Sequence, residues 1–397
     1  MILVTENAFS QHSVSGRISD ALTHEPVGFA NVIVNHSGKG TISDFDGFFE
    51  MSKVFPGDTL FISFLGYEPR EIPVDTAKMI TIPIFPSVYA LDEVVVKPGL
   101  NPAHLILKNI WRNNDQNNMN KLKAYEYEKY SRTMVYFRKF NYRDSASLIR
   151  PLKNEFNNHS VSTGEEGIPA LPAYVSENIS DVYYTKSPVR EAVHIKLVRS
   201  DGLAFKGTDL VSQLTTKQEN FNFLNNNVQI IDKAFVSPAS RFGLLYYKYY
   251  LIDSMYLDNT WCYEIRFVPK RKEEAVFKGT MWITDTTYAI KRISAEIGKK
   301  SDVNFIQRIK IQQDYSNIGA CWFPVKERFM ADAANIYITN YSEKKNIETD
   351  KVLPDSFYKR ELSIEPDAGE KDNPLWDSVV VGSLTQTDSM ALPKLNH

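Results

Sequence analysis

The residues that could bind a metal or act as acids and bases are scattered along this chain of 397 residues, which has seven histidines and two cysteines. A hydrolytic zinc site uses a His-x-x-Glu or His-Glu-x-x-His spacing, because both ligands must lie on one helix face. No histidine is followed by glutamate three residues later, and His24-Glu25 runs into Pro26. Glycine-rich phosphate loops and nucleophile elbows are missing too. The sequence predicts a protein that is not an enzyme, with no catalytic residue, metal or cofactor.

One acidic motif requires a separate interpretation. Asp44 and Asp46, followed by Gly47, resemble the start of a calcium-binding loop. The next oxygen donors of such a loop are replaced by Phe48 and Phe49. Because aspartate and glycine are also the usual residues of tight turns, the motif predicts a turn.

The composition restricts the class of protein and of partner. Hydrophobic residues make up 43% of the chain, and 46 Lys and Arg are balanced by 48 Asp and Glu, giving a formal charge of -2. A chain of this kind has enough apolar surface to fold and no net field that would attract nucleic acid. Aromatic residues reach 12% and favour β-structure. No apolar run is long enough to predict a transmembrane helix.

The two cysteines leave the redox compartment undecided. Cys262 and Cys321 both lie in strand-like stretches. They could pair across neighbouring strands as one disulfide, or stay as two buried free thiols. The sequence does not separate these alternatives.

The N-terminal quarter of the chain predicts a small β domain over residues 13–97. Short alternating segments are separated by turns rich in Gly, Pro and Asp, as in a β-sandwich. Seven strands are expected, at residues 14–18, 29–34, 48–51, 60–64, 70–74, 79–84 and 94–96. Residues 1–12 are expected to be the remnant of a signal peptide or a disordered end.

A joint then separates this domain from a larger one. Pro98 and Gly99 stop the last strand, and Asn101-Pro102 supplies the cap and first-turn proline of a helix. The apolar stripe of that helix is predicted to contain Leu105, Ile106, Ile110 and Trp111. We expect this stripe to pack on the sheet that follows.

The larger domain is predicted over residues 98–363 as an antiparallel, curved β-sheet that resembles a half-barrel. The clearest alternation places Trp261, Tyr263, Ile265 and Phe267 on one face of a strand, and Met281 continues it on the next. Successive strands of this type form a meander with one apolar face. Residues 143–173 are predicted to be a loop, residues 344–345 a solvated surface and residues 364–397 a flexible linker.

Several blocks also carry a family resemblance. Residues 14–18, 26–32, 40–49 and 62–67 resemble the carboxypeptidase regulatory-like domain, a transthyretin-like sandwich. Residues 91–99, 101–103, 222–223, 236–238, 246–249, 267–271, 277–279 and 283–285 resemble the family of unknown function that follows this domain in outer-membrane proteins of Bacteroidota. The resemblance implies an accessory sandwich without peptidase activity. It also implies a C-terminal membrane barrel, which the sequence is expected to lack.

Two functions follow as hypotheses. The first is a cell-envelope protein, periplasmic or associated with the outer membrane, in which the sandwich docks onto an outer-membrane partner. The alternative is a periplasmic carrier that holds a lipid or another apolar ligand against the face formed by Trp261, Tyr263, Ile265, Phe267 and Met281.

Overall fold

The fold is seen in a computed structural model. It describes residues 12–22, 26–34, 40–43, 47–55, 57–64, 67–74, 80–86, 101–138, 162–163, 169–202, 221–230, 233–258, 260–271, 274–298, 306–319, 321–333, 336–351, 353–369 and 376. The predicted signal-peptide remnant up to residue 11, the aspartates of the turn motif, the joint at 90–99 and most of the predicted tail lie outside these residues.

The chain divides into two compact units. One contains Met1–Gly99, Thr163–Ile168 and Ser254–Cys262, and the other contains the remaining residues from Leu100 onward. Each unit has its own apolar core.

The first unit contains the predicted sandwich. Its described strands are β1 (His12–Asp20), β2 (Asn31–Val34), β3 (Gly40–Ile42), β4 (Phe48–Val54), β5 (Thr59–Ser63), β6 (Arg70–Pro73) and β7 (Ile80–Ile84). They form a three-stranded sheet in the order β4-β1-β7 and a four-stranded sheet in the order β3-β2-β5-β6. Alternate residues such as Leu60 and Ile62 are fully buried between the sheets. The short strand β3 was not predicted, because three residues are too few to show alternation.

Most of the second unit is one large sheet, of which residues 254–262 belong to the first unit, with a small hairpin beside it. Its strands are β8 (Ala124–Arg138), β9 (Ser162–Thr163), β10 (Pro169–Lys186), β11 (Val189–Gly202), β12 (Asn227–Ile230), β13 (Lys233–Val236), β14 (Tyr247–Leu257), β15 (Thr260–Pro269), β16 (Lys278–Thr284), β17 (Ile290–Ile297), β18 (Arg308–Ile318), β19 (Cys321–Ala333), β20 (Ile336–Thr349) and β21 (Leu362–Ile364). Strand β10 begins at Pro169, so the prediction of a loop up to residue 173 was wrong at its end.

The order of the large sheet confirms the predicted meander and extends it. Strands β14 to β20 are neighbours in sequence order, and the sheet continues through β8, β10, β11 and β21. Strand β8 therefore comes early in the chain but pairs with the late strand β20. The sheet is antiparallel along these pairs, except that β21 runs parallel to β11. The curved, mainly β fold with a packed helix is thus confirmed.

The predicted helix is present as α1 (Pro102–Asn117), and its cap is the predicted one. The Asn101 side chain accepts a hydrogen bond of 3.0 Å from the backbone N–H of Ala103, and Pro102 occupies the first turn. The buried face consists of Ala103, Ile106, Leu107 and Ile110, which join the core of the sheet. The described residues also contain three short helices, α2 (Gly243–Tyr246) and two 3₁₀ turns at Met119–Lys121 and Asp355–Tyr358.

Leu105 was wrongly placed on the helix stripe. It is 48% exposed, whereas Leu107 is fully buried. Positions 103, 106, 107 and 110 follow the i, i+3, i+4, i+7 spacing of one helix face, and residue 105 lies outside that face. The predicted stripe was shifted because it counted apolar residue types and ignored the small residue Ala103.

The cysteines are free thiols in this structure. Cys262 lies in β15 and Cys321 in β19, and both are buried. The structure therefore has the second of the two alternatives that the sequence left open.

Candidate functional site

The apolar face predicted as a ligand site is largely filled by protein. Ile265, Phe267 and Met281 have no exposed surface, and all three belong to the core cluster that contains the buried residues of α1. Tyr263 is half-buried and packs against the same cluster. Other side chains of this core cluster therefore cover all three and leave no exposed apolar surface on them for a ligand.

Trp261, the fifth residue of that predicted site, belongs to the other unit of the chain. It is half-buried, and its ring meets the ring of Tyr256 edge to face with 4.8 Å between centroids. The ligand role of all five residues stays a prediction.

A second group of side chains, not predicted from the sequence, lies on the sheet where β20, β8 and β10 are neighbours. Lys344 of β20 pairs directly with Lys129 of β8, and Lys129 pairs on its other side with Ser180 of β10. Directly paired residues project from the same face of a sheet, and neighbouring strands lie about 4.8 Å apart. These three residues therefore form a row of hydrogen-bond donors, which we call the donor row.

The donor row lies on the same face as the core of the second unit. Ala331 belongs to the cluster with α1, and it pairs with Ile338, which in turn pairs with Val135. Lys344 and Lys129 are each six residues away from Ile338 and Val135, respectively. Since side chains alternate along a strand, an even separation keeps them on one face. The lysines thus point to the helix-bearing side of the sheet.

All three members of the row are buried. The exposed fractions are 5% for Lys129, 6% for Lys344 and 1% for Ser180. Among the described residues, the Ser180 hydroxyl has no hydrogen-bond partner. Lysines are almost never fully buried unless something compensates the charge, so two of them side by side are unusual.

Aromatic rings cover the Lys344 ammonium. Its Nζ lies 5.2 Å from the centre of the Tyr127 ring and 5.4 Å from that of Phe323. The Phe323 ring also meets Tyr125 edge to face at 5.3 Å, and Tyr125 stacks on Tyr184 at 4.5 Å. Electron-rich ring faces attract a cation and are worth about 0.5 to 2 kcal/mol in such contacts. They do not replace a hydrogen-bond acceptor.

A half-buried carboxylate lies beside the lysines. Glu327 of β19 accepts a hydrogen bond of 2.7 Å from Gln313 Nε2, and the same nitrogen also donates to the Phe221 carbonyl. Tyr315 Oη donates to Gln313 Oε1 at 2.7 Å. Glutamine and tyrosine therefore hold Glu327 in place. Burial raises the pKa of Glu327, while Lys344 and Lys129 oppose that rise.

The electrostatic balance at Lys129 is dominated by burial and by the other lysine. Burial lowers the pKa of Lys129 to about 7, and repulsion from Lys344 is the next largest cause. Glu327 and Glu191 act in the opposite direction and more weakly. The pKa of Lys344 is lowered as well, chiefly by burial. Glu327 and Glu191 oppose that change, so the two lysines lie beside two carboxylates.

The sequence carried only a weak signal for this row. Lys129 is in phase with Tyr125 and Tyr127, so the alternation of β8 placed it on the buried face. Lys344-Lys345 was predicted to be solvated surface, which is wrong for Lys344. That error arose because β20 is mostly polar, and its register against β8 cannot be read from its own residues.

The described residues contain neither a cluster of metal ligands nor a helix that could cross a membrane. No group of three or more His, Cys, Asp or Glu residues there could hold a metal ion. No helix of the described residues has the length and apolarity needed to cross a membrane.

Comparison with known proteins identifies two modules in the predicted order. Residues 14–96 match the CarboxypepD_reg-like domain, and residues 106–343 match a family of unknown function (DUF5686). Neither description names an enzymatic activity.

Two curated relatives share a short stretch with the chain. The TonB-dependent receptor SusC of Bacteroides thetaiotaomicron is 43% identical over 96 residues, which is 24% of this chain. The TonB-dependent receptor P39 of Formosa agariphila is 36% identical over 93 residues, which is 23% of this chain. The matched stretch spans 9% of the length of each receptor.

Similarity to solved structures is low. A crystal structure described as an outer membrane lipoprotein-sorting protein domain from Vibrio parahaemolyticus has a TM-score of 0.31 and 7% identity, and the match covers 65% of this chain and 97% of that one. A DUF1329 family protein from Desulfovibrio piger has a TM-score of 0.27 and 11% identity, covering 66% and 98%. No functional inference follows from TM-scores this low. The match to residues 106–343, by contrast, spans more than half of the sequence, and the chain belongs to the family of unknown function DUF5686.

Proposed function

We propose that this chain is a non-enzymatic protein of the cell envelope, the periplasm-facing part of an outer-membrane assembly or transport component, with the sandwich as its docking module. The observation that carries the proposal is the stretch shared with two TonB-dependent receptors, at 43% and 36% identity. Its length is close to that of the regulatory-like region, residues 14–96. A module shared with such receptors fits a partner at the same membrane.

The sandwich offers one edge suited to strand addition. Strand β4 lies at the edge of its sheet and has seven residues without proline. The other edges are blunted, since β3 has three residues, β6 ends in Pro73 and β7 contains Pro83. Long edges without proline are the ones that accept a strand from a partner.

The backbone hydrogen bonds of β4 show which residue to replace in a test of strand addition at this edge. Ile18 donates a hydrogen bond of 2.8 Å to the Gly47 carbonyl, so that pair is hydrogen-bonded. Hydrogen-bonded and non-hydrogen-bonded pairs alternate in antiparallel strands. Counting along the strands from that pair, Ser15–Glu50 is a non-hydrogen-bonded pair. The N–H of the exposed Glu50 therefore points away from β1.

The test compares two full-length variants, Glu50→Pro and Glu50→Ala. Proline removes the outward N–H but keeps the pairing with β1, whereas alanine removes only the side chain. Tagged chains are expressed in the native host and crosslinked, and partners are identified by mass spectrometry. We expect an outer-membrane protein to be captured by wild type and Glu50→Ala and lost in Glu50→Pro. Capture by all three variants would exclude docking through β4, and the absence of any outer-membrane partner would overturn the proposal.

The carrier function is a separate proposal. The domain limits 13–97 and 98–363 are likewise proposed. Ile265, Phe267 and Met281 have no exposed surface, so a carrier must open this part of the core or use another part of the sheet. Native mass spectrometry of gently purified protein tests it. A retained adduct of lipid size would support carriage, and a clean chain would contradict it.

A further inference from the structure

We infer that the second unit carries a surface for an anionic lipid membrane, formed where the turn of α2 meets the flank of α1. We call this surface the tip patch. It consists of two exposed apolar side chains and four exposed basic ones: Phe242, Leu245, Arg241, Lys108, Lys270 and Arg271. The inference concerns the second unit alone and does not depend on docking through the sandwich.

The apolar part of the patch is a projection on one short turn. Phe242 is 54% exposed and Leu245 is 68% exposed. The Leu245 N–H donates a hydrogen bond of 2.9 Å to the Phe242 carbonyl, which closes the turn and places both side chains on one side of it. Leu244 and Tyr246 pack against the core instead. Large apolar side chains that are exposed together mark a contact with a partner or a membrane.

Hydrogen bonds hold this turn in its outward position. Tyr249 Oη donates to the Pro238 carbonyl at 2.7 Å, and the Gly243 N–H donates to the Ser240 carbonyl at 3.0 Å. A Cβ atom at Gly243 would lie 2.3 Å from Tyr249 Oη, so the turn packs directly on a buried tyrosine. The exposure of the two apolar side chains is therefore imposed by a bonded turn.

Basic side chains surround the apolar projection. Arg241 is exposed and directly precedes Phe242. Lys270, from the hairpin that follows β15, donates from Nζ to the Leu244 carbonyl at 2.6 Å. Arg271 comes next, with its side chain 80% exposed. Three positive charges therefore lie beside the turn that exposes the apolar pair.

The flank of α1 adds a fourth positive charge. Trp111 Nε1 donates to the Ala239 carbonyl at 2.9 Å, which joins the helix to the segment that leads into α2. The exposed Lys108 lies one helical turn before Trp111 on the same flank. Burial lowers the pKa of His104, and the charges of Lys270 and Lys108 lower it further. The hairpin and the helix therefore bring their positive charges to one place.

The acidic groups beside the patch only partly offset these charges. Glu274 is half-buried, with a carboxylate oxygen 3.7 Å from Arg271, and Asp115 lies further along α1. Lys272 and Glu273 complete the sequence of the hairpin and cancel each other. The patch is therefore positive, although the formal charge of the whole chain is -2.

This combination fits an anionic lipid surface better than a protein partner. A projecting apolar pair inserts among lipid head groups, whereas the anchors of protein interfaces lie in enclosing pockets near the centre of the contact. Each lysine or arginine near an anionic surface strengthens binding by about fivefold. Long basic side chains also lay their stems on apolar surface while the charge stays in water. The protein would lie on the membrane through the tip patch.

The test is flotation of the full chain with vesicles of phosphatidylcholine, either pure or containing about 30% phosphatidylglycerol as the anionic lipid. Phe242→Ser/Leu245→Ser removes the apolar pair, and Arg241→Gln/Lys108→Gln removes two charges. All four side chains are exposed, so folding should survive.

The chain offers a matched control for each change. Leu362→Ser/Ile364→Ser replaces two apolar side chains that are 56% and 57% exposed on β21, at the other edge of the large sheet. Lys248→Gln removes an exposed charge next to the patch in sequence. Lys248 alternates with the buried Tyr247 and Tyr249, so it projects from the opposite face of β14.

We expect wild type to bind the vesicles that contain phosphatidylglycerol, and to bind them less tightly as salt is added. Affinity should fall about tenfold or more in both patch variants and stay within about twofold of wild type in both controls. Absence of binding, equal binding to pure phosphatidylcholine, or full affinity in either patch variant would overturn the inference. A chain that dimerises through the patch instead of binding vesicles, seen by size-exclusion chromatography of the same variants, would assign the surface to a second copy and would overturn it as well.

Discussion

Replacement of Lys129 by methionine tests the buried charge most directly, through the pH dependence of stability. Lys129 has an ordinary pKa of 10.5, which the folded protein lowers to about 7. Between these values the unfolded state binds more protons than the folded state, so this group makes stability rise with pH. Below about pH 7 both states carry the charge and the full cost of burying it is present. Above about pH 10.5 neither state carries it.

The expected magnitude follows from the shift. One pKa unit corresponds to about 1.4 kcal/mol, so the slope contributed by Lys129 is at most about 1.4 kcal/mol per pH unit. Lys344, Glu327 and Glu191 face it and titrate with it, which reduces the slope. From about pH 7.5 to about pH 9.5 we expect wild type to gain about 1 to 2.5 kcal/mol relative to Lys129→Met.

Urea unfolding followed by tryptophan fluorescence is a suitable assay. The five tryptophans all follow residue 110, so none lies in the stretch 13–97. Lys345→Met, an exposed change on β20, is the control and should track wild type at every pH. A stability difference between wild type and Lys129→Met that stays constant over this pH range would refute the reasoning, because it would mean that Lys129 is solvated in the folded protein.

Three further predictions concern the helix α1, its cap and the two cysteines. Leu107→Ala should lower the free energy of unfolding by about 2 to 5 kcal/mol, whereas Leu105→Ala should change it by less than about 0.5, because only Leu107 is buried; equal effects in urea unfolding would contradict the assigned helix face. Asn101→Ala should cost about 1 to 3 kcal/mol, through loss of the cap and of the 2.9 Å hydrogen bond that Asn101 Nδ2 donates to the Tyr249 carbonyl, and Asn101→Ser, which keeps a cap acceptor but loses that second bond too, should cost less; equal costs for the two variants would refute the cap. Cys262 and Cys321 should react with Ellman's reagent only after unfolding, since both are buried and burial raises the pKa of the Cys321 thiol; fast labelling of native protein would disprove their burial.

Local features of the fold could be predicted because their signals are contained in neighbouring residues. The cap at Asn101, the proline at Pro102 and the alternation from Trp261 to Phe267 each fix backbone geometry within a few positions. The helix stripe was only partly predictable. Leu105 and Leu107 are equally apolar, and the choice between them depends on which face meets the sheet.

The sequence by itself determined that this protein has an N-terminal sandwich, a capped helix and a meander of antiparallel strands, since propensity, turn chemistry and side-chain alternation are local properties. The tertiary structure decided which strands become neighbours at the join between β20 and β8. That pairing places Lys129 beside Lys344, residues 215 positions apart, and buries Lys344, which looks solvated in its own segment. Long-range register has no signature in either strand alone, because it is set by the packing of the whole sheet.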